Sequence, residues 1–481
     1  MQHTQLCSVG IDIGTSTTQL IFSRLSVRNT AGYFSVPHAE ITRKQVFFRS
    51  PVYDTPLLDS RHIDGAALKR LIEEAYRQAG IAPGDVHSGA VVITGETARR
   101  ENAQTVLAQI SDLAGDFVVA TAGPDLESVL AGQGSGAQQY SLEHNTVVAN
   151  LDIGGGTTNI AVFDRGRVVA NGCLDIGGRQ IRLDSNGRIS EIYSGAQKIA
   201  AAANIPLAQG QRVSQDTLCA LCEKMNAVLE QIFGLQQPSA LVSRLTTSGS
   251  TPFALPHDLA IAFLSFSGGV ADCILQPPPE PFCYQDIGVL LAQAIRRGRL
   301  FGHFRILPAK ETIRATVVGA GVHTTRLSGS TIAYDSSLFP MKNIPVLRLH
   351  EDEEARVAAG DSALLSERAA WALRQNDRDA LVIAMNGPID PTYSQLERLA
   401  AALAAGLERA LPAGSPILIV TLQDVAKALG QLLRQKTGKR SVVTLDGIEI
   451  DSGQFIDFGV PILHGMAVPV IIKTLIFEKE Q

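Results

Sequence analysis

"VGIDIGTSTTQLIF" at 9–22 and "NLDIGGGTTNIAVF" at 150–163 carry nearly the same pattern. In each, apolar residues alternate up to an Asp-Ile-Gly, Asp12-Ile13-Gly14 or Asp152-Ile153-Gly154. Small and hydroxyl residues follow, and then a second apolar run. Alternation on both sides of a Gly/Thr/Ser stretch predicts a β-hairpin. Asp12 and Asp152 stand 140 residues apart, as do Thr17 and Thr157. So long a spacing does not suit a solenoid; it suits two related domains in one chain, with the chemistry between them.

A hairpin tip built from Gly, Thr and Ser presents backbone N–H groups without bulky side chains and adds hydroxyl donors, a concave donor set suited to phosphate oxygens. Gly154, Gly155 and Gly156 fit that role especially well. Asp12 and Asp152 end their strands just before the tips, where a carboxylate can hold magnesium directly or through its waters, and magnesium offsets phosphate charge. One Gly-rich hairpin is ordinary turn chemistry. Two of them, with Asp and hydroxyls at matching offsets, point to phosphate. Further on, "LAIAFLSFSGGVADCIL" at 259–275 reads as strand, Ser267-Gly268-Gly269 turn and helix, and its glycines let a nucleoside ring approach the backbone. "TVVGAGVHTT" at 316–325 repeats the strand-turn-helix logic through Gly319 and Gly321, and reads as the start of a packed interdomain helix.

Composition narrows the remaining classes. The chain has 481 residues, 45% of them hydrophobic, enough for two to four domains with real cores. Its net charge of −5 and the lack of a basic stretch give nucleic acid no electrostatic support. The amino-terminal "MQHTQLCSVGIDIG" has no basic region followed by an apolar core, and no apolar run is long enough to cross a bilayer, so a soluble intracellular protein with no membrane partner is expected. The six cysteines are scattered and fit a reducing compartment. Only Cys219 and Cys222 have metal spacing, and the helical period through Leu218, Cys222, Met225 and Leu229 favours core packing.

The order of elements predicts α/β domains: hairpin, a helix through Leu68, Ile72 and Tyr76 stopped by Gly80, the strand "GAVVIT", and a short helix in "AGPDLESVLAGQGSGA" before the second hairpin. "QPPPEPF" at 276–282 reads as a rigid loop inside the second domain. The expected domains are 1–145, 146–335 and 336–481. In the third, Ser394 and Glu397 suggest a capping box ahead of a long helix, and the acidic run Glu351 to Glu354 suggests a solvated face.

The ordered set of two Asp-Ile-Gly hairpins, connecting helix, "SGG" turn and "GAG" turn resembles the superfamily of actin, sugar kinases and heat-shock-chaperone ATPases over residues 5–330. That resemblance implies an α/β fold of two ribonuclease-H-like domains closing over a magnesium nucleotide, plus a C-terminal α/β region. Within it, "GIDIGTSTTQLIFSRL", "VVITGETARRENAQ", "LDIGGGTTNIAVF" and the extra C-terminal region resemble the ethanolamine ammonia-lyase reactivating factors. The family resemblance implies a cytoplasmic ATPase chaperone of ethanolamine utilization, associated with its bacterial microcompartment and forming a homodimer. It would use ATP and Mg2+ to release damaged cobalamin from ethanolamine ammonia-lyase, the cobalamin being handled on that partner enzyme.

By the same resemblance, Gly14, Thr15, Ser16 and Thr17 meet the phosphates from one side. Gly154, Gly155, Gly156, Thr157 and Thr158 meet them from the other, and Gly268 and Gly269 meet the nucleoside. Asp12 and Asp152 organise the metal. The superfamily's water-placing acid falls in "GPDLESVLAG", where Glu127 is preferred to Asp125, with Glu96 a lesser candidate. Two rival readings share the cleft: a small-molecule kinase, for which no sugar-binding signature is present, and an iron-sulfur redox activase using Cys219 and Cys222.

Overall fold

The structure is a computed structural model that describes residues 3–14, 17–29, 39–59, 62–93, 102, 105–106, 110, 124–256, 259–323, 326–329, 331–376, 379–438, 440–452 and 454–474. The first hairpin joins β1 (His3–Ile13) to β2 (Thr17–Asn29), followed by β3 (Ala39–Arg49), the short β4 (Tyr53–Asp54), helix α1 (Gly65–Ala79) and β5 (Ser88–Ile93). β1, β2 and β3 form an antiparallel meander, and β5 adds parallel to the free side of β1. Val9, Ile11, Ile13, Leu20 and Phe22 are buried against Leu68, Ile72, Ala75 and Tyr76 of α1. α1 starts where Asp64 accepts the Ala67 amide at 2.9 Å and stops at Gly80, whose φ of 68° is the left-handed conformation anticipated for it.

Helix α2 (Pro124–Gly134) leads to the second hairpin, β6 (Val147–Ile153) and β7 (Thr158–Asp164), followed by β8 (Arg167–Leu174) and the small hairpin β9 (Ile181–Leu183) and β10 (Ile189–Ile192). Helix α3 (Gln215–Ile232), strand β11 (Phe263–Ser267), helices α4 (Gly269–Leu275) and α5 (Gly288–Arg297), β12 (Arg305–Leu307) and helix α6 (Ala315–His323) follow, with shorter helices between them. The sheet runs β8-β7-β6-β11-β12: again an antiparallel meander, with parallel strands added beside its first member. The repeated order, meander 3-2-1 with parallel addition beside its first strand (β5 in the first sheet, β11 and β12 in the second), is that of ribonuclease-H-like domains, and two of them make the actin-like ATPase fold.

Each sheet is covered by the helix that follows the other one. α2, which follows β5, packs on β6, β7 and β8, whereas α6, which follows β12, packs on β1, β2 and β5. The two helices cross where side chains are absent. A Cβ on Gly134 would overlap the Ala315 carbonyl, and one on Gly319 the Leu130 carbonyl. Gly319 therefore lies inside the helix and not in a turn ahead of it, and it serves the packed interdomain helix that the sequence led us to expect.

The remaining chain forms a seven-stranded sheet in the order β13 (Arg326–Leu327), β19 (Pro469–Thr474), β18 (Gln454–Phe458), β14 (Met341–Arg348), β15 (Val382–Met385), β16 (Ile417–Thr421), β17 (Val442–Leu445). β14 to β17 are parallel, and their connecting helices, α7 (Glu351–Ala358), α8 (Ser362–Asn376), α9 (Tyr393–Ala410) and α10 (Ala426–Thr437), bury one face of the sheet. Because β13 pairs with β19 and Ala333 bridges Thr444, the chain joins this sheet ahead of residue 335. The cap of α9 is also earlier than expected. Thr392 accepts the Gln395 amide while Gln395 Oε1 accepts the Thr392 amide at 2.8 Å, so Ser394 is already helical. Leu463 of this domain packs with Leu6, Leu25 and Val27 of the first sheet.

Candidate functional site

The two hairpins are closed by the same hydrogen bond. Gly14 donates its amide to the Thr17 carbonyl at 2.8 Å, and Gly154 to that of Thr157 at 3.0 Å. Register repeats as well: Asp12 pairs across the ladder with Gln19, and Asp152 with Asn159. Both tips border one cavity of about 260 Å³. Asp12, Gly14 and Thr17 line it from the first domain, and Asp152, Gly154, Gly155, Gly156 and Thr157 from the second, with Glu127, Gly268 and Gly269 between them. Thr15 and Ser16 fall outside the described residues, as does Glu96.

Asp152 is 6% exposed. The Ser267 hydroxyl donates to its Oδ1 at 2.6 Å, and Asn150 Nδ2 donates to the same hydroxyl at 2.9 Å, so the single Ser267 proton is committed to the carboxylate. Thr316, carried on α6, gives a further hydrogen bond. Burial nevertheless outweighs these contacts and pushes the carboxyl up to about 6. A carboxylate held this way gains from a cation nearby. Among the described residues no group of three or more His, Cys, Asp or Glu could hold a metal by itself. Magnesium is commonly held by one or two carboxylates together with waters and phosphate oxygens, which matches Asp12 and Asp152 on a shared cavity.

The glycine tip of the second hairpin rests on the segment 177–180. The carbonyls of Gly154, Gly155 and Gly156 accept from Gly178 N at 3.0 Å, Arg179 N at 2.6 Å and Gln180 Nε2 at 2.5 Å. A side chain at Gly177 would overlap the Gly155 backbone. The segment itself reads Asp175-Ile176-Gly177-Gly178, a third Asp-Ile-Gly, but Asp175 is engaged elsewhere: it accepts from Thr247 Oγ1 at 2.8 Å and pairs with Lys198 at 3.1 Å.

Glu127 sits in the first turn of α2, 8% exposed and on the cavity wall. Asp125 instead holds the 250–251 turn, accepting from Ser250 Oγ at 2.7 Å and from the Thr251 amide at 3.1 Å. Thr158 differs from its expected position. It begins β7, is fully buried, and donates its hydroxyl to the Ile176 carbonyl at 2.8 Å, so the threonine of this tip that borders the cavity is Thr157. Gly268 has a φ of 84°, and a Cβ there would overlap Ile153, which brings the Ser267 turn hard against the end of β6. Cys222 is buried in the core of α3, where burial drives its thiol well above the ordinary value, the opposite of a cluster-binding thiolate.

Several cavity residues escaped the sequence reading: Gln19, Asn159, Arg179, Asp286 and Thr316. Gln19 and Asn159 had a signal, since both stand seven positions after their Asp and share its 140-residue offset. Arg179 and Asp286 had none, because their meeting is tertiary.

A family model described as Ethanolamine utilisation protein EutA matches residues 4–478. The chain belongs to the EutA family. Two curated relatives of that family, each named ethanolamine ammonia-lyase reactivase EutA, come from Salmonella typhimurium and Escherichia coli. They are 39% and 38% identical over 478 residues, covering 99% of this chain and 100% of each relative. A solved structure of the Aquifex aeolicus PPX-GPPA enzyme is 13% identical over 66% of this EutA-family chain and 99% of its own, with a TM-score of 0.40.

Proposed function

We propose that this EutA-family chain is an ATP-driven reactivase of ethanolamine ammonia-lyase. The supporting observation is the pair of Asp-ended hairpins with one closing hydrogen bond and one register, both bordering a single cavity. In this reading the tips grip the phosphates of one ATP from two domains, through Gly14, Thr15, Ser16 and Thr17 on one side and Gly154, Gly155, Gly156 and Thr157 on the other. Asp12 and Asp152 hold Mg2+, which neutralises phosphate charge when bound. Glu127 orients the attacking water from the start of α2, and Gly268 and Gly269 receive the nucleoside.

Phosphoryl transfer to water depends on positioning and charge stabilisation more than on covalent chemistry, and two jaws supply both. The crossed helices α2 and α6 convert the angle between the jaws into motion, because each helix rides on the other domain's sheet. That motion works on the lyase, releasing damaged cobalamin so that intact cofactor can rebind. The chain acts as a homodimer in the cytoplasm, in the ethanolamine microcompartment. Phosphate release measured without any small-molecule acceptor tests the reading: it is expected to require Mg2+ and to rise with inactivated lyase. Strict dependence on an alcohol or acid acceptor would instead establish a kinase.

The open tip gives a further expectation. A Cβ on Gly156 meets nothing within 4 Å, so Gly156→Ala should melt within roughly 0.5 kcal/mol of the wild type. The added methyl takes space beside the phosphates, and the ATP Kd measured calorimetrically should rise about tenfold, or ~1.4 kcal/mol. An unchanged Kd would place the phosphates away from this tip.

A further inference from the structure

The cavity is rich in carboxylates and poor in cations. Asp12, Glu127, Asp152, Asp272 and Asp286 line it, and Arg179 is the one Lys or Arg among its described lining residues. A polyphosphate would meet strong repulsion there unless both a metal and this guanidinium offset its charge.

Arg179 is placed for that task by contacts on three sides. Its amide is bound to the Gly155 carbonyl, and a Cβ on Gly155 would lie 3.3 Å from Arg179 Cδ, so the aliphatic stem runs along the glycine tip. Its Nε lies 3.5 Å from Asp286 Oδ2, while Asp286 Oδ1 accepts the Gly288 amide at 2.8 Å at the start of α5. Ile287 donates to the Gly178 carbonyl at 3.0 Å and locks the two segments together. The Asp286 side chain is 8% exposed and that of Arg179 32%. A buried carboxylate thus grips one edge of a guanidinium whose head stays open to the cavity, and a guanidinium carries five N–H donors in a fixed fork suited to phosphate.

We propose that Arg179, oriented by Asp286, is the cation that binds the nucleotide's phosphate chain; this rests on the nucleotide reading above. Asp286 is the positioning residue, acting through Arg179. A purely structural role would make the pair a clasp between the 177–180 segment and α5, with no preference for phosphate.

The test measures Kd for ATP, ADP and adenosine on the full chain with Mg2+, by calorimetry. Arg179→Gln is expected to weaken ATP and ADP ten- to hundredfold, the usual worth of one charge-assisted hydrogen bond, and to leave adenosine unchanged. Arg179→Lys should recover part of the loss, and Asp286→Asn should give a smaller loss confined to the two phosphorylated ligands. Equal weakening of all three ligands, or none, would overturn the role of Arg179. Should Arg179→Gln not fold, the Lys and Asp286→Asn variants carry the same comparison. A wild type that binds none of the three overturns the nucleotide reading and this proposal with it. A wild type that binds ATP no better than its Arg179→Gln and Arg179→Lys variants overturns the Arg179 assignment alone.

Discussion

Asp152→Asn is expected to keep the fold and to lose at least about a hundredfold in Mg2+-dependent ATP hydrolysis, or ~3 kcal/mol of transition-state stabilisation. Asn retains an oxygen to accept the Ser267 proton that reaches Oδ1 at 2.6 Å, so the local geometry has a substitute, whereas the charge that would hold magnesium has none. The same substitution has a stability signature. Burial raises the Asp152 carboxyl from 3.8 to about 6. The fold therefore holds this proton more tightly than the unfolded chain does. Its contribution is fully present below pH 3.8 and is lost as pH rises through about 6, by on the order of 3 kcal/mol in metal-free protein. Metal-free Asp152→Asn should consequently melt above the wild type at pH 7.5 and close to it at pH 4. Mg2+ with nucleotide should raise the melting temperature of the wild type far more than that of the variant. Full hydrolysis by the variant, or an equal rise of both melting temperatures with Mg2+ and nucleotide, would remove Asp152 from the metal site, and identical metal-free curves at pH 7.5 would contradict the cost of its buried charge.

Gly319→Ala should be among the most damaging single-methyl changes in the chain. In an open helix Ala is favoured over Gly by up to ~1 kcal/mol. Here the new Cβ falls on the Leu130 carbonyl, and Leu130 belongs to a helix that also needs Gly134 bare against Ala315. Backbone on both sides has no rotamer to yield, so the helices must separate, at an expected cost of about 3 kcal/mol or more. Gly302→Ala is the control: nothing lies within 4 Å of a Cβ there, and stability should stay within roughly 0.5 kcal/mol. Denaturant unfolding distinguishes them, and equal midpoints would mean that the crossing is not the close contact described. Because α2 also carries Glu127 and α6 carries Thr316, which hydrogen-bonds to Asp152, any Gly319→Ala protein that folds should hydrolyse ATP slowly as well.

What could be read from the sequence was what repeats or is local. The two hairpins announced themselves because Asp, Gly and the hydroxyl positions recur at one offset, and a turn's residues largely dictate its geometry. α1 was legible from its period and from Gly80. The exchange of covering helices was not, since an apolar stripe on α2 or α6 says that something is buried without saying which sheet buries it. For Gly319 the packed interdomain helix was legible but its place inside that helix was not, because a glycine wanted for close approach looks in sequence like a glycine wanted for a turn. Thr158 was assigned to the phosphates with its neighbours. It lies past the turn, where strand alternation sends its hydroxyl to Ile176. The seven-stranded third sheet draws β13 and β19 from far apart in the chain, a pairing no local pattern encodes. In the cavity, the Asp-bearing tips were found from the repeat, while Arg179 and Asp286 meet only after folding.

The most direct test of the whole account is recovery of lyase activity. Ethanolamine ammonia-lyase is inactivated in turnover, then incubated with this chain, Mg2+ and adenosylcobalamin, together with either ATP or a nonhydrolysable analogue. Activity is expected to return with ATP, to remain lost with the analogue, and to remain lost with Asp152→Asn. Equal recovery with the analogue, or none with ATP, would contradict the claim that two nucleotide-gripping jaws drive the exchange.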